Sequence, residues 1–240
     1  MKKQLSLVMG LILAGMASAP VMAEENMGLE FSANVALTSN YVFRGISQNE
    51  TDPAIQGGFD ASHSSGIYAG VWASNVSENL YAGSSMELDT YVGWEGDMGP
   101  VGVDVGYLRY NYPGAASGSN LDTDEYHVGV SGELGPVGLG LTYNYSPDFF
   151  GTDDATYWDI GAELPVGSFT IAAHYGMTDF DATGGAPADY DDWSIGASTE
   201  FGGFGFDLSY TDTDADVGQC FGVTDNDCDS AVVFTISKSL

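Results

Sequence analysis

Apolar side chains recur at every second position along almost the whole chain, and no stretch carries the 3.6-residue period of a helix. Alternation between two faces is the signature of a β-strand. Twelve such segments stand out, at roughly 29–43, 54–62, 66–75, 86–96, 101–111, 124–134, 137–145, 156–164, 168–177, 191–201, 203–211 and 231–240. Most are about ten residues long, the length a tilted transmembrane strand needs. Past Ala23 no uninterrupted apolar run approaches the roughly 18 residues of a membrane-spanning helix. In lipid every backbone N–H and C=O needs an internal partner, so such a chain can cross a membrane only as a closed barrel.

The connections alternate in length. Those after even-numbered segments are short: His63-Ser64-Ser65, Asp97-Met98-Gly99-Pro100, Gly135-Pro136, Pro165-Val166-Gly167 and Gly202. Those after odd-numbered segments are longer, over 46–53, 76–85, 112–123, 146–155, 178–190 and 212–230. Gly-Pro-Val-Gly occurs at both 99–102 and 135–138, a repeated hairpin turn. Short turns at one rim and long loops at the other are the outer-membrane pattern, with both chain ends on the short-turn side.

A soluble β-sandwich or barrel also alternates, and two features count against it. Aromatics sit at both ends of the apolar face. Phe31, Phe169, Phe204, Trp94 and Phe201 fall beside short turns; Tyr41, Tyr107, Tyr143, Tyr145, Tyr175, Tyr210, Tyr126, Trp158 and Trp193 fall beside long loops. Aliphatics such as Val71, Val103, Leu141, Ile160 and Leu208 lie between, giving two aromatic girdles around a belt. The opposite face carries Gly, Ser, Asn, Thr and acids and almost no Lys, which soluble strand faces and edges normally use.

Residues 1–23 read as a secretory signal peptide: a start with Lys2 and Lys3, an apolar run from Leu5 to Met16, and small residues ending in Val21-Met22-Ala23. Cleavage after Ala23 would leave 240 − 23 = 217 residues, one barrel domain over 24–240. It would also remove two of five bases, so the mature balance is 3 − 34 = −31. That excludes nucleic acid as a partner, because a polyanion needs clustered Lys and Arg. Cationic solutes or divalent cations suit the charge better. Cys220 and Cys228 in an exported chain read as one disulfide closing a short loop, with two free thiols as the alternative. The last segment places Val232, Phe234, Ile236 and Leu240 on one face and resembles the C-terminal signal read by the barrel-assembly machinery. Leu240 stands for a terminal aromatic and Lys238 for an apolar residue.

The stretch Thr38-Ser39-Asn40-Tyr41-Val42-Phe43-Arg44-Gly45-Ile46-Ser47-Gln48, then Pro53 to Asp60, and Ser64-Ser65-Gly66-Ile67-Tyr68-Ala69-Gly70-Val71-Trp72-Ala73-Ser74-Asn75-Val76, resembles the opening of the TorF-like porin family of proteobacteria. The likeness is specific over about 40–75 and lies in strand rhythm elsewhere. It implies an outer-membrane channel and brings no catalytic residues.

With the aromatics outward, parity points Asp60, Glu87, Asp89, Asp104, Glu125, Asp159, Glu163, Glu200 and Asp207 into the lumen, with Arg44, His127 and His174. Carboxylates in a narrow wet channel concentrate cations and repel anions. A packed, watered interior is the alternative. Arg44, near the outer mouth, either binds a solute carboxylate or clamps the first loop through a bidentate pair. Arg109 falls on the outward face near the outer rim, to meet lipopolysaccharide phosphate or snorkel. Asp212, Asp214, Asp216, Asp225, Asp227 and Asp229 flank the cysteines, but Val217 stands where an EF-hand needs Gly and no Glu closes the loop, so solvated acids are the better reading. No cofactor signature is present. A lipid hydrolase needs a Ser–His pair on the outer face, and a rim protease needs His in the long loops; His127 and His174 point inward and His63 lies in a short turn. The expectation is an all-β, closed antiparallel barrel of about 12 strands in a Gram-negative outer membrane. It would contact lipid and lipopolysaccharide and pass small solutes, cations or neutral ones. The alternative is a structural or surface-interaction barrel without an open pore.

Overall fold

The computed structural model describes residues 22–24, 28–181, 188–216, 220 and 225–240. Among them, twelve strands form a closed antiparallel barrel: β1 (Leu29–Thr38), β2 (Ala54–His63), β3 (Ile67–Asn75), β4 (Met86–Met98), β5 (Val101–Asn111), β6 (Thr123–Leu134), β7 (Val137–Ser146), β8 (Ala155–Val166), β9 (Phe169–Phe180), β10 (Tyr190–Phe201), β11 (Phe204–Thr213) and β12 (Ala231–Ser239). Each strand pairs with its sequence neighbours. β1 closes the ring, with Ala33 opposite Phe59 of β2 and Val35 opposite Lys238 of β12. Leu240 adds a backbone bond, donating to the Ala33 carbonyl at 2.8 Å. The three-residue strand Met22–Glu24 lies against Leu29–Phe31. The segment read as a signal peptide otherwise lies outside the described residues.

Closure leaves no open edge, and every strand alternates between two environments. Outward side chains are apolar and bare: Phe59 is 70% exposed, Leu208 54% and Ile195 50%. Aromatics bracket this belt. On the long-loop side Tyr107 and Tyr126 pair across strands at 5.4 Å between rings, Tyr143 and Trp158 at 4.7 Å, and Trp193 and Tyr210 at 5.5 Å. On the short-turn side Phe31, Phe169, Phe201 and Phe204 are all exposed. The repeated Gly-Pro turn is explained by backbone conformation. Gly99 and Gly135 take φ of 72° and 65°, a left-handed geometry that only glycine adopts without strain, and the following Pro supplies a fixed φ.

Two expectations need correction. The alternation predicts a first strand running to residue 43, with Tyr41 on the outer girdle. It ends at Thr38, and residues 39–53 turn into the barrel, burying Tyr41. The polar residues of this segment satisfy one another when the chain leaves the sheet: Thr38 Oγ1 donates to the Asn40 carbonyl and the Tyr41 N–H donates to Asn49 Oδ1. Several strands are also longer than their patterns. β8 reaches Val166, so the turn to β9 shrinks to Gly167-Ser168, and at its other end β9 runs on to Phe180.

Candidate functional site

The buried part of the molecule lies inside the long-loop half of the barrel. Residues 39–53 occupy it as a hairpin in which Val42–Phe43 pairs with Ile46–Ser47. Arg44 and Gly45 form its tip with φ of 47° and 78°. A Cβ on Gly45 would sit 2.7 Å from both Asp192 Cβ and Thr213 Cβ, so glycine is what lets the tip touch the wall. The hairpin is tied to itself: the Gln48 N–H donates to the Tyr41 carbonyl at 2.7 Å, Ser47 Oγ to Asn40 Oδ1 at 2.7 Å, and the Thr51 N–H to Ser47 Oγ at 2.9 Å.

Two side chains fix it to the strands. Arg44 Nη2 meets Glu125 Oε2 at 2.6 Å, and the Tyr41 hydroxyl donates to Glu87 Oε1 at 3.2 Å. The Arg44 guanidinium also lies 4.1 Å from the Tyr157 ring centroid and 4.8 Å from that of Phe43, close enough for cation–π attraction. Burial acts against its charge, but the facing Glu125 and the Tyr110 and Tyr157 hydroxyls raise its pKa above the ordinary guanidinium value. Arg44 is therefore a charged clamp, joined to Glu125 by one hydrogen bond rather than a bidentate pair. From above, Tyr81 donates its hydroxyl to Gln48 Oε1 and the Ser77 N–H donates to the Gln48 carbonyl at 3.1 Å. Ser77 Oγ and, at 2.9 Å, Asn79 Nδ2 donate to Glu50, holding its carboxyl below the usual range. Ile46 packs against Tyr190 and the Cys220–Cys228 disulfide.

The remaining lumen residues separate into clusters. Glu87 and Asp89 lie buried together on β4. Asp104 takes a hydrogen bond from the Tyr68 hydroxyl at 3.0 Å and contacts His127 Nε2 at 2.6 Å. His174 bridges Asp159 at 3.2 Å and Asp192 at 3.3 Å. Asp60 accepts from Tyr91. Glu163 and Glu200, toward the short turns, are exposed, and Asp207 is half-buried. Asp192 was missed, although its place beside the outward Trp193 put it on the lumen face by parity. So were Trp72, Tyr110 and Tyr157, which alternate with outward residues in the same way. On the outer surface Arg109 pairs with Asp124 at 2.8 Å and Asp122 at 3.4 Å, so both its branches are engaged by neighbours. Among the described residues no group of three or more His, Cys, Asp or Glu is arranged to hold a metal ion.

A family described as bacterial proteins of unknown function, Gcw_chp, matches residues 22–240. The chain belongs to Gcw_chp. By structure this Gcw_chp barrel is similar to OmpF of Salmonella typhi in a complex with daunomycin, at 7% identity over 91% of this chain and 99% of that one, with a TM-score of 0.50. It is also similar to OccK5 (OpdH) of Pseudomonas aeruginosa, at 14% identity over 91% and 68%, TM-score 0.48. A refined porin matches at 14% identity over 78% of this chain and 62% of its own length, TM-score 0.41, so the chain spans less than two thirds of that protein. No curated protein matches by sequence. At these identities the likeness is one of fold.

The Gcw_chp lumen is thus divided. Its long-loop half is filled by a hairpin carrying a positive tip, and its short-turn half is walled by glycines, tyrosines, histidines and carboxylates that are only partly covered.

Proposed function

We propose that this Gcw_chp protein is an outer-membrane channel for passive diffusion of small solutes, preferring cations or neutral molecules over anions. The observation that carries the reading is the acidic interior of a closed barrel. Asp60, Glu87, Asp89, Asp104, Glu125, Asp159, Glu163, Asp192, Glu200 and Asp207 all lie on lumen-facing positions, against Arg44 and two histidines. Such walls raise the local cation concentration and repel anions. The porin-like fold, and the resemblance of 40–75 to the TorF-like porins, support the same class. Export through the 1–23 signal, assembly through the C-terminal strand, and contact of the aromatic-bounded belt with lipid and lipopolysaccharide belong to this reading.

A catalytic role has little to work with. A Ser–His contact exists, Ser65 Oγ to His63 Nδ1 at 2.7 Å, but both groups share one exposed rim turn. His127 and His174 face carboxylates, and the one hydroxyl near His127, that of Tyr68, donates to Asp104.

The test is conductance in planar bilayers. Discrete, cation-selective steps are expected, with reversal potentials that move toward zero selectivity when Glu163 and Glu200 are changed to Gln. Anion selectivity in the unaltered protein would refute the reading. The packed long-loop half favours a second one, a structural barrel with no open path, for which no conductance appears under any condition.

A further inference from the structure

Residues 39–53 are built as a unit separate from the wall. Among the described residues, and away from its ends, segment 41–51 reaches the strands through two side-chain hydrogen bonds, Arg44–Glu125 and Tyr41–Glu87. Its other hydrogen bonds to described residues run within the hairpin or to the loop 76–85 above it. The internal bonds travel with the segment wherever it goes. What holds it in place is one buried ion pair, one hydroxyl bond to the wall, the packing of Tyr41, Phe43 and Ile46, and the loop above it, through Tyr81 and Ser77 on Gln48 and the latch of Glu50 on Ser77 and Asn79.

A buried ion pair suits a seat of this kind. Desolvating two charges costs about as much as their attraction returns, so a seated pair fixes geometry without adding much net stability. When the hairpin leaves, Arg44 and Glu125 both regain water. The lumen the hairpin leaves behind keeps Glu87, Asp89, Glu125 and Asp192, and loses the guanidinium of Arg44.

We propose that residues 39–53 are a displaceable plug, seated by the Arg44–Glu125 pair, whose withdrawal opens the long-loop half of the lumen and leaves it lined by carboxylates. The electrical consequence rests on the channel reading above; the movement itself does not.

The two are separated by measuring both. Ser47 is 2% exposed while the plug is seated. In the Ser47→Cys protein, a membrane-impermeant maleimide added to intact cells reports how often the plug leaves. Glu125→Gln leaves Arg44 seated without its counter-charge and is expected to raise the labelling rate about tenfold or more, and Arg44→Lys, which keeps the charge but lowers reach and geometry, to raise it less. Heat-modifiable migration on a gel shows that each barrel is folded. Folded variants labelled no faster than the parent would overturn the plug, whatever the conductance. If both variants fail to fold, the pair is a requirement of assembly and the proposal is likewise overturned. In bilayers Glu125→Gln should open more often than the parent. Faster labelling with no conductance in any variant would keep the plug and remove the channel; conductance with unchanged labelling would do the reverse.

Discussion

Arg44 Nη2 lies 2.6 Å from Glu125 Oε2, across 81 residues of sequence, and neither side chain is more than 5% exposed. This contact ties the inward-turned first loop to strand β6. It also bears on proteolysis. Past Ala23 the chain offers trypsin only Arg44, Arg109 and Lys238, and two of these lie in paired strands. The folded protein is expected to resist trypsin, and Glu125→Gln to be cut after Arg44 at a rate that follows the population with the hairpin out. The fragment masses check it; equal resistance in both proteins would count against an ion-pair seat.

Much of this architecture is legible in the sequence, for a physical reason. A barrel strand alternates lipid and lumen at every residue, so one outward Trp158 or Ile160 assigns its neighbours Tyr157 and Asp159 to the other side. Turn chemistry is equally local, as Gly99-Pro100 and Gly135-Pro136 show. The plug is not legible in this way. Tyr41 and Phe43 continue the alternation of β1, and nothing nearby in sequence says that Asn40, Ser47 and Asn49 will bind each other instead of extending a ladder. The partner that decides the matter, Glu125, is four strands away. The clusters Asp104–His127 and His174–Asp159–Asp192 are intermediate: parity places each member in the lumen, but only strand register brings them together.

Lipid and lumen faces should differ sharply in tolerance. Ile160 is 48% exposed on the apolar belt, whereas Glu163 lies on the opposite face of the same strand β8. Ile160→Arg is expected to lower folding stability by about 2–4 kcal/mol, the cost of Arg near the bilayer midplane. Glu163→Arg should stay within about 0.5 kcal/mol, as for a surface position. Urea titration of refolding into lipid vesicles measures both. Equal costs would mean that the belt does not face lipid.

The Glu50 latch gives the loops a pH dependence of known sign. Ser77 and Asn79 donate to the ionised carboxylate and depress its pKa when the loops are closed. A depressed pKa contributes stability that is complete above the pKa of the free group and lost as pH falls through the bound one. Acidification should therefore loosen the loop 76–85 from the plug, and Glu50→Gln should remove the pH response. Amide hydrogen exchange at Ser77, whose N–H donates to the Gln48 carbonyl, reads it directly. Protection that increases on acidification would reverse the sign and defeat the assignment.

The Cys220–Cys228 disulfide closes a loop with a sequence separation of 8 between β11 and β12, and both cysteines are buried against Ile46 of the plug and Tyr190. Closing so short a loop is worth about 2–3 kcal/mol in chain entropy. That stabilisation is local. The twelve strands are held by lateral hydrogen bonds between neighbours, none of which passes through the disulfide, whereas Ile46 leans on it. Reduction, or the pair Cys220→Ser and Cys228→Ser, is therefore expected to leave heat-modifiable migration intact while increasing trypsin cleavage after Arg44. Loss of the barrel itself on reduction would mean that the last loop supports the strands. Unchanged protection of Arg44 would mean that the Ile46 contact contributes nothing to seating the plug, and that the balance between the seated and withdrawn forms is set by its contacts with the strands and with loop 76–85.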